Sequence, residues 1–126
     1  MDEVAKVLRD GGAVVLPTDT VYGVAVRADR PGAVDALAAL KDRAAEQPVA
    51  VLVASLRQAE VVGELPGWAR PIAERWWPGP LTLVLRRREG LGWDLGEPAF
   101  PLALIETVQA ERTFTARCRP QRCAAV

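Results

Sequence analysis

AVVLPTDTVYGVAV, residues 13 to 26, is the stretch on which the reading of the fold turns. Two short valine-containing runs, AVVL and GVAV, flank PTDTVYG at residues 17 to 23. Such runs suit buried strands, and Pro17 stops the first of them. Residues 13–16 and 23–28 therefore read as two strands joined by a turn. A plain turn needs Gly, Asn or Asp where φ is positive, and it has no use for three hydroxyls, Thr18, Thr20 and Tyr22, within five residues. Because they alternate with Asp19 and Val21, the three could share one side of an extended or turning backbone. The residues alone favour a strand-edge loop whose threonines bond their own backbone; one wall of a binding site is the alternative.

Ahead of this stretch, Val4, Val7 and Leu8 have helical spacing, and Gly11-Gly12 supply a C-cap. Behind it, Pro31 suits the first turn of a helix through GAVDALAALKDR. Its stripe is Val34, Leu37 and Ala38, and Lys41 falls on the same face where the helix gives out. PVAVLVA at 48–54 is a continuous apolar run, the mark of a central strand covered on both faces. Ser55 is a candidate N-cap for SLRQAEVVGEL, and GWARPIAERWW reads as a helix interrupted or restarted at Pro71. After the PGP break at 78–80, LTLVLRRR at 81–88 reads as a strand. The element order implies an α/β fold with a mixed sheet. Beyond residue 90 the chain turns rich in Gly and Pro, LALIETVQA reads as a short helix, and RTFTARCRPQRCAAV shows neither period.

With 126 residues, one domain is expected. Lys+Arg 16 balance Asp+Glu 16, so net charge makes no argument for nucleic acid. No apolar run approaches the roughly 20 residues of a membrane span. The acidic N-terminus MDEVAKVLRDGG is unlike a secretory leader, so a cytoplasmic protein is expected. The chain has no histidine, Ser55 is its only serine, and Cys118 and Cys123 match no common zinc spacing. Ser-His and Cys-His nucleophilic chemistry is thereby excluded. What remains is chemistry by positioning and charge, on a substrate that brings its own metal and phosphates.

Two further stretches combine polar function with position. KDR at 41–43 is either a solvated helix end complementing the dipole or a phosphate clamp, with Lys41 as point charge and Arg43 as fork. In WWPGPLTLVLRRR at 76–88, Trp76 and Trp77 read as core, while Thr82 faces opposite to Leu81 and Leu83. Arg86, Arg87 and Arg88 fit an edge-strand charge cluster or a polyanion contact equally.

Taken in order, GGAVVLPTDTVYGV, a helix ending in Lys-x-Arg, PVAVLVAS and WPGPLTLVL resemble the YrdC/Sua5 family of threonylcarbamoyl-AMP synthases across residues 11 to 86. The resemblance implies a YrdC-like twisted mixed sheet with flanking helices and a concave cavity. It implies a reaction joining L-threonine, bicarbonate and ATP, with Mg2+ on the ATP, into threonylcarbamoyl-adenylate and pyrophosphate. That product serves the N6-threonylcarbamoyl modification of adenosine 37 in tRNA. By the same resemblance, Thr18, Tyr22 and Thr20 would bind L-threonine, and Lys41, Arg43, Thr82 and Arg86 would bind ATP. Other proteins of that tRNA modification route would be partners. Relatives described as binding double-stranded RNA make an RNA-binding module without catalysis the alternative.

The departures carry expectations too. Ala44 stands where the family commonly has proline, and Leu52 where it often has histidine. The family continues with a strand like VAVRVP, a helix and a Ser-x-Asn motif, and this sequence contains no asparagine. A truncated or frame-shifted member is therefore expected, with a partial YrdC-like domain over 1–98, incomplete on its C-terminal side. Residues 99–126 would be a non-homologous, disordered tail, and catalytic competence would suffer.

Overall fold

The valine-containing runs around PTDTVYG form the hairpin that the sequence predicts. Strands β1 (Val14–Pro17) and β2 (Tyr22–Arg27) pair antiparallel, with Pro17 opposite Tyr22. The computed structural model describes residues 2–18, 21–42, 47–95, 102–107 and 124–125. Helix α1 (Asp2–Asp10) precedes the hairpin and ends as expected on glycine. Gly11 takes φ +91°, and the amides of Gly11 and Gly12 close on the carbonyls of Leu8 and Val7 at 3.1 and 2.8 Å. Helix α2 (Ala33–Leu40) buries Val34, Leu37 and Ala38, the stripe read from the sequence. It starts later than expected: Pro31 lies in the turn ahead of it, and Gly32 is the N-cap with φ 75°.

Strand β3 (Ala50–Val53) is buried on both faces, as a continuous apolar run requires. Helix α3 (Leu56–Val62) is capped by Ser55, whose Oγ accepts from the Gln58 amide at 3.3 Å. Gln58 is itself buried, and its Oε1 accepts from the Ala54 amide at 2.6 Å, which ties the end of β3 to the start of α3. Helix α4 (Ala69–Trp76) is not interrupted at Pro71. That residue stands in the first turn, where a missing N–H costs no intrahelical bond. Among the described residues, strands β4 (Leu83–Arg86), β5 (Leu102–Thr107) and β6 (Ala124–Ala125) complete a six-stranded mixed sheet of order β1-β2-β6-β3-β5-β4.

Two sequence expectations change here. Residues 102–107 are not helical; they form β5, parallel to β3 and antiparallel to β4. The four apolar residues of LALI carry no period that separates helix from strand, and pairing between β3 and β4 decides the matter. For β5 and β6 the expectation of a disordered tail outside the fold is thereby corrected, whereas the rest of 99–126, with Cys118 and Cys123, lies outside the described residues.

Two apolar clusters define the sheet's two sides. On one, Val26, Val51, Val53, Leu83 and Leu85 meet Val34 and Leu37 of α2, Ala59 and Val62 of α3, and Ala69 and Ala73 of α4. On the other, Leu16, Ala25 and Leu52 meet Val4 of α1. Period-two alternation explains the division, since Ala25 and Leu52 sit between residues of the first cluster. The outer edge of β4 is covered: Glu64 N donates to Arg86 O at 2.8 Å and Arg88 N to Val62 O at 2.9 Å. Among the described residues no helix is long and apolar enough to cross a membrane.

Candidate functional site

Thr18 closes the hairpin through its own side chain. Its Oγ1 donates to Val21 O at 2.6 Å and accepts from Val21 N at 3.3 Å, while its amide donates to the same carbonyl at 3.0 Å. This is the backbone-bonding role that local chemistry assigns to a threonine in a tight loop. Its consequence is a fixed exit from the turn, from which Tyr22 projects with 78% of its surface exposed. Asp19 and Thr20 lie outside the described residues.

Lys41 is the C-cap of α2, with its amide directed at both Leu37 O and Ala38 O at 3.1 and 3.2 Å. A cation at this position complements the negative end of the helix dipole. Asp42 follows with φ 48°, a left-handed conformation that aspartate tolerates better than most residues. The chain thus turns at Asp42, and Arg43 lies outside the described residues.

The sheet register places these groups relative to one another. Strands β2 and β3 both run antiparallel to β6, so they are parallel to each other, and α2 carries the chain back between them. The PTDTVYG turn and Lys41 therefore stand at the same end of the sheet. Val26 and Leu83 both stand level with Val51, through Ala125 and Ile105 respectively. Counting from that level, Arg86 lies toward the hairpin end and Thr82 toward the other. Four inter-strand steps separate β2 from β4, about 19 Å at the usual spacing.

Alternation adds a second separation. Thr82, Val84 and Arg86 alternate with the buried Leu83 and Leu85, so they point to the Leu52 side of the sheet, where Val84 is 52% exposed. Tyr22 alternates in step with Val24 and Val26, on the side of α2. The hairpin and Lys41 are thus brought together, while Thr82 and Arg86 occupy the far edge and the opposite face. Of the remaining arginines, Arg87 Nη1 donates to Trp93 O at 3.5 Å and Arg88 Nη1 donates to Glu60 O. These bonds favour the edge-strand reading of that cluster over a polyanion contact.

The tryptophan pair divides in a way the sequence does not anticipate. Trp76 is 61% exposed, with Arg75 stacked 6.0 Å from its ring, whereas Trp77 packs half-buried against the core. The Trp77 indole donates to Leu81 O at 2.7 Å, a bond that sequence reasoning missed. Aromatic-Pro-Gly-Pro spacing is its only sequence signal. A depression lined by Glu60, Gly63, Glu64, Leu65, Arg88 and Glu89 borders the outer edge of β4, where Glu64 N donates to Arg86 O.

Comparison with known proteins follows the same motifs. A family model described as "Telomere recombination", whose name joins Sua5, YciO and YrdC, matches residues 6–97. A Mycobacterium leprae relative is 44% identical over 91 residues, 71% of this chain and 41% of its own length. The threonylcarbamoyl-AMP synthase of Pyrococcus abyssi is 43% identical over 86 residues, 68% of this chain and 25% of that protein. Among solved structures, P. abyssi Sua5 complexed with L-threonine aligns with a TM-score of 0.82 at 30% identity, covering 98% of this chain and 36% of that one. The chain thus spans less than half the length of each of these three relatives.

Proposed function

This chain belongs to the Sua5–YciO–YrdC family, and from that premise we propose that it is a threonylcarbamoyl-AMP synthase-type nucleotidyltransferase acting on L-threonine, bicarbonate and ATP. The observation that carries the reading is the placement of Lys41 and the PTDTVYG turn at one end of the β2–α2–β3 unit. A cation at the same end of the sheet as an exposed tyrosine and a hydroxyl-rich sequence suits a triphosphate and a polar amino acid.

In the reaction, the threonine amine adds to CO2 from bicarbonate and gives a carbamate. A carbamate oxygen attacks the α-phosphorus of ATP, the bond to the β-phosphate bridging oxygen breaks, and pyrophosphate leaves. No protein nucleophile is required, in keeping with a chain without histidine and with a single serine. Lys41, with Arg43, would neutralise the triphosphate at that end of the sheet; motif resemblance alone supports a contact of Arg86 with ATP, because that residue stands on the far edge and the opposite face. For Thr82 at the nucleotide the motif resemblance is likewise the sole support, while Tyr22, with Thr18 and Thr20, would hold L-threonine. Mg2+ would arrive on the ATP: among the described residues no group of three or more His, Cys, Asp or Glu converges, whereas phosphate oxygens and water suit this ion. There it would offset charge on the leaving pyrophosphate.

The product would feed tRNA threonylcarbamoylation in the cytoplasm, alongside other proteins of that route. ATP-dependent and threonine-dependent pyrophosphate release in bicarbonate buffer is the test. Release no greater than that of a Lys41→Ala variant would remove the activity and leave the family assignment intact.

A further inference from the structure

We propose that the flank of α4 carrying Trp68, Ile72 and Trp76 is a self-association surface, on which a second copy of this chain seats its own α4 antiparallel about a twofold axis. The three residues recur at every fourth position, and these large apolar side chains are 60%, 38% and 61% exposed. Trp68, the N-cap, already has helical φ and ψ of −72° and −30°, so all three follow one helical spacing. At about 100° per residue, Trp68 and Trp76 lie about 40° to either side of Ile72, which makes the stripe continuous. Two other sides of α4 are engaged within the chain. Ala69 and Ala73 are buried in the core, while Arg70, about 160° from Ile72, pairs with Glu60 of α3 and with Glu74.

The stripe is its own complement. With Ile72 on the twofold axis, antiparallel packing sets Trp68 of one copy level with Trp76 of the other, because each stands four residues from the axis. Arg75 already lies 6.0 Å from the Trp76 ring, on the side of the stripe that carries Trp68. In the pair it stands within about 1.5 Å of the height of the second copy's Trp68, so its guanidinium meets that aromatic face as well. The antiparallel arrangement also opposes the two helix dipoles and holds the two Arg75 groups about 9 Å apart along the axis. The three side chains expose roughly 350 Å² per copy, or roughly 700 Å² for the pair, against the roughly 1,200 Å² of a standard stable interface. A weak, concentration-dependent dimer is therefore expected. None of the residues assigned to L-threonine or ATP lies on this flank, so the inference is independent of the proposed reaction.

Sedimentation velocity of the full chain up to about 1 mM tests the surface, under reduction so that Cys118 and Cys123 cannot link copies. Support would be a reversible monomer–dimer equilibrium with a dissociation constant of about 10–100 µM, weakened at least about tenfold by Ile72→Arg, which opposes two cations on the axis. Trp68→Ala and Arg75→Ala should each weaken the dimer, with a less than additive loss in the doubly substituted protein, because the two side chains meet across the axis. A chain that stays monomeric throughout would overturn the proposal. A dimer indifferent to Ile72→Arg would place the contact elsewhere and overturn it too. Growth beyond the dimer would contradict a closed twofold pair, and fully additive losses would contradict the antiparallel seating. Circular dichroism checks that each variant is folded. Should Ile72→Arg fail to fold, Trp68→Gln, at a side chain already largely in water, takes its place with the same expected loss and the same refuting result.

Discussion

Replacing Thr18 by valine keeps the β-branched shape in the hairpin and removes the hydroxyl that bonds both Val21 backbone groups. These bonds lie at an exposed turn, where water replaces lost partners, so the low end of the hydrogen-bond scale applies, about 1 kcal/mol for the pair. For 126 residues, at roughly 2.1 cal/mol/K of unfolding entropy per residue, that loss lowers Tm by about 4 °C. Circular dichroism melts of the Thr18→Val and Thr18→Ser proteins check it, with serine expected to retain most of the stability. Calorimetry with L-threonine adds the functional half: if the clamp fixes how Tyr22 leaves the turn, Thr18→Val weakens binding and Thr18→Ser does so less. A valine variant that melts with the unaltered chain and binds L-threonine equally would refute the hairpin's role in both stability and site.

The other substitutions probe separate parts of the molecule. Lys41→Ala should weaken MgATP affinity about tenfold while costing little stability, because the side chain ends a helix rather than filling the core; equal affinity by calorimetry would remove Lys41 from the triphosphate site. Leu37→Ala, at a position with 0% exposure between α2 and the sheet, should cost about 2–5 kcal/mol in urea unfolding. Gln58→Leu strands the Ala54 amide at the end of β3 and should cost about 1–3 kcal/mol in the same assay. Double-stranded RNA should not shift the chain at about 0.15 M salt, since the net charge is zero and Arg87 and Arg88 donate to backbone carbonyls. A shift that survives such salt would restore the RNA-binding alternative.

Much of the first 95 residues is legible in the sequence because local signals agree there with tertiary ones. Val34, Leu37 and Ala38 mark a helix face that the sheet buries, PVAVLVA marks a strand covered twice, and Ser55 marks a helix start whose hydroxyl does cap it. The misses share a cause, dependence on partners distant in sequence. LALIET is a strand because β3 and β4 flank it, and Trp76 is exposed although its spacing continues the Ala69 and Ala73 stripe, because Trp77 packs against the core at the end of α4. Motif order places PTDTVYG, KDR and PGPLT in one site, yet register and alternation put Thr82 at the far edge and on the other face from Tyr22. Order along the chain carries no such spatial information.

The central claim is that this chain joins threonine, bicarbonate and ATP, and pyrophosphate release measures it directly. The account predicts release that requires all three substrates, falls in Lys41→Ala, and accompanies formation of threonylcarbamoyl-adenylate seen by mass spectrometry. Release independent of threonine, or equal in Lys41→Ala, would contradict it.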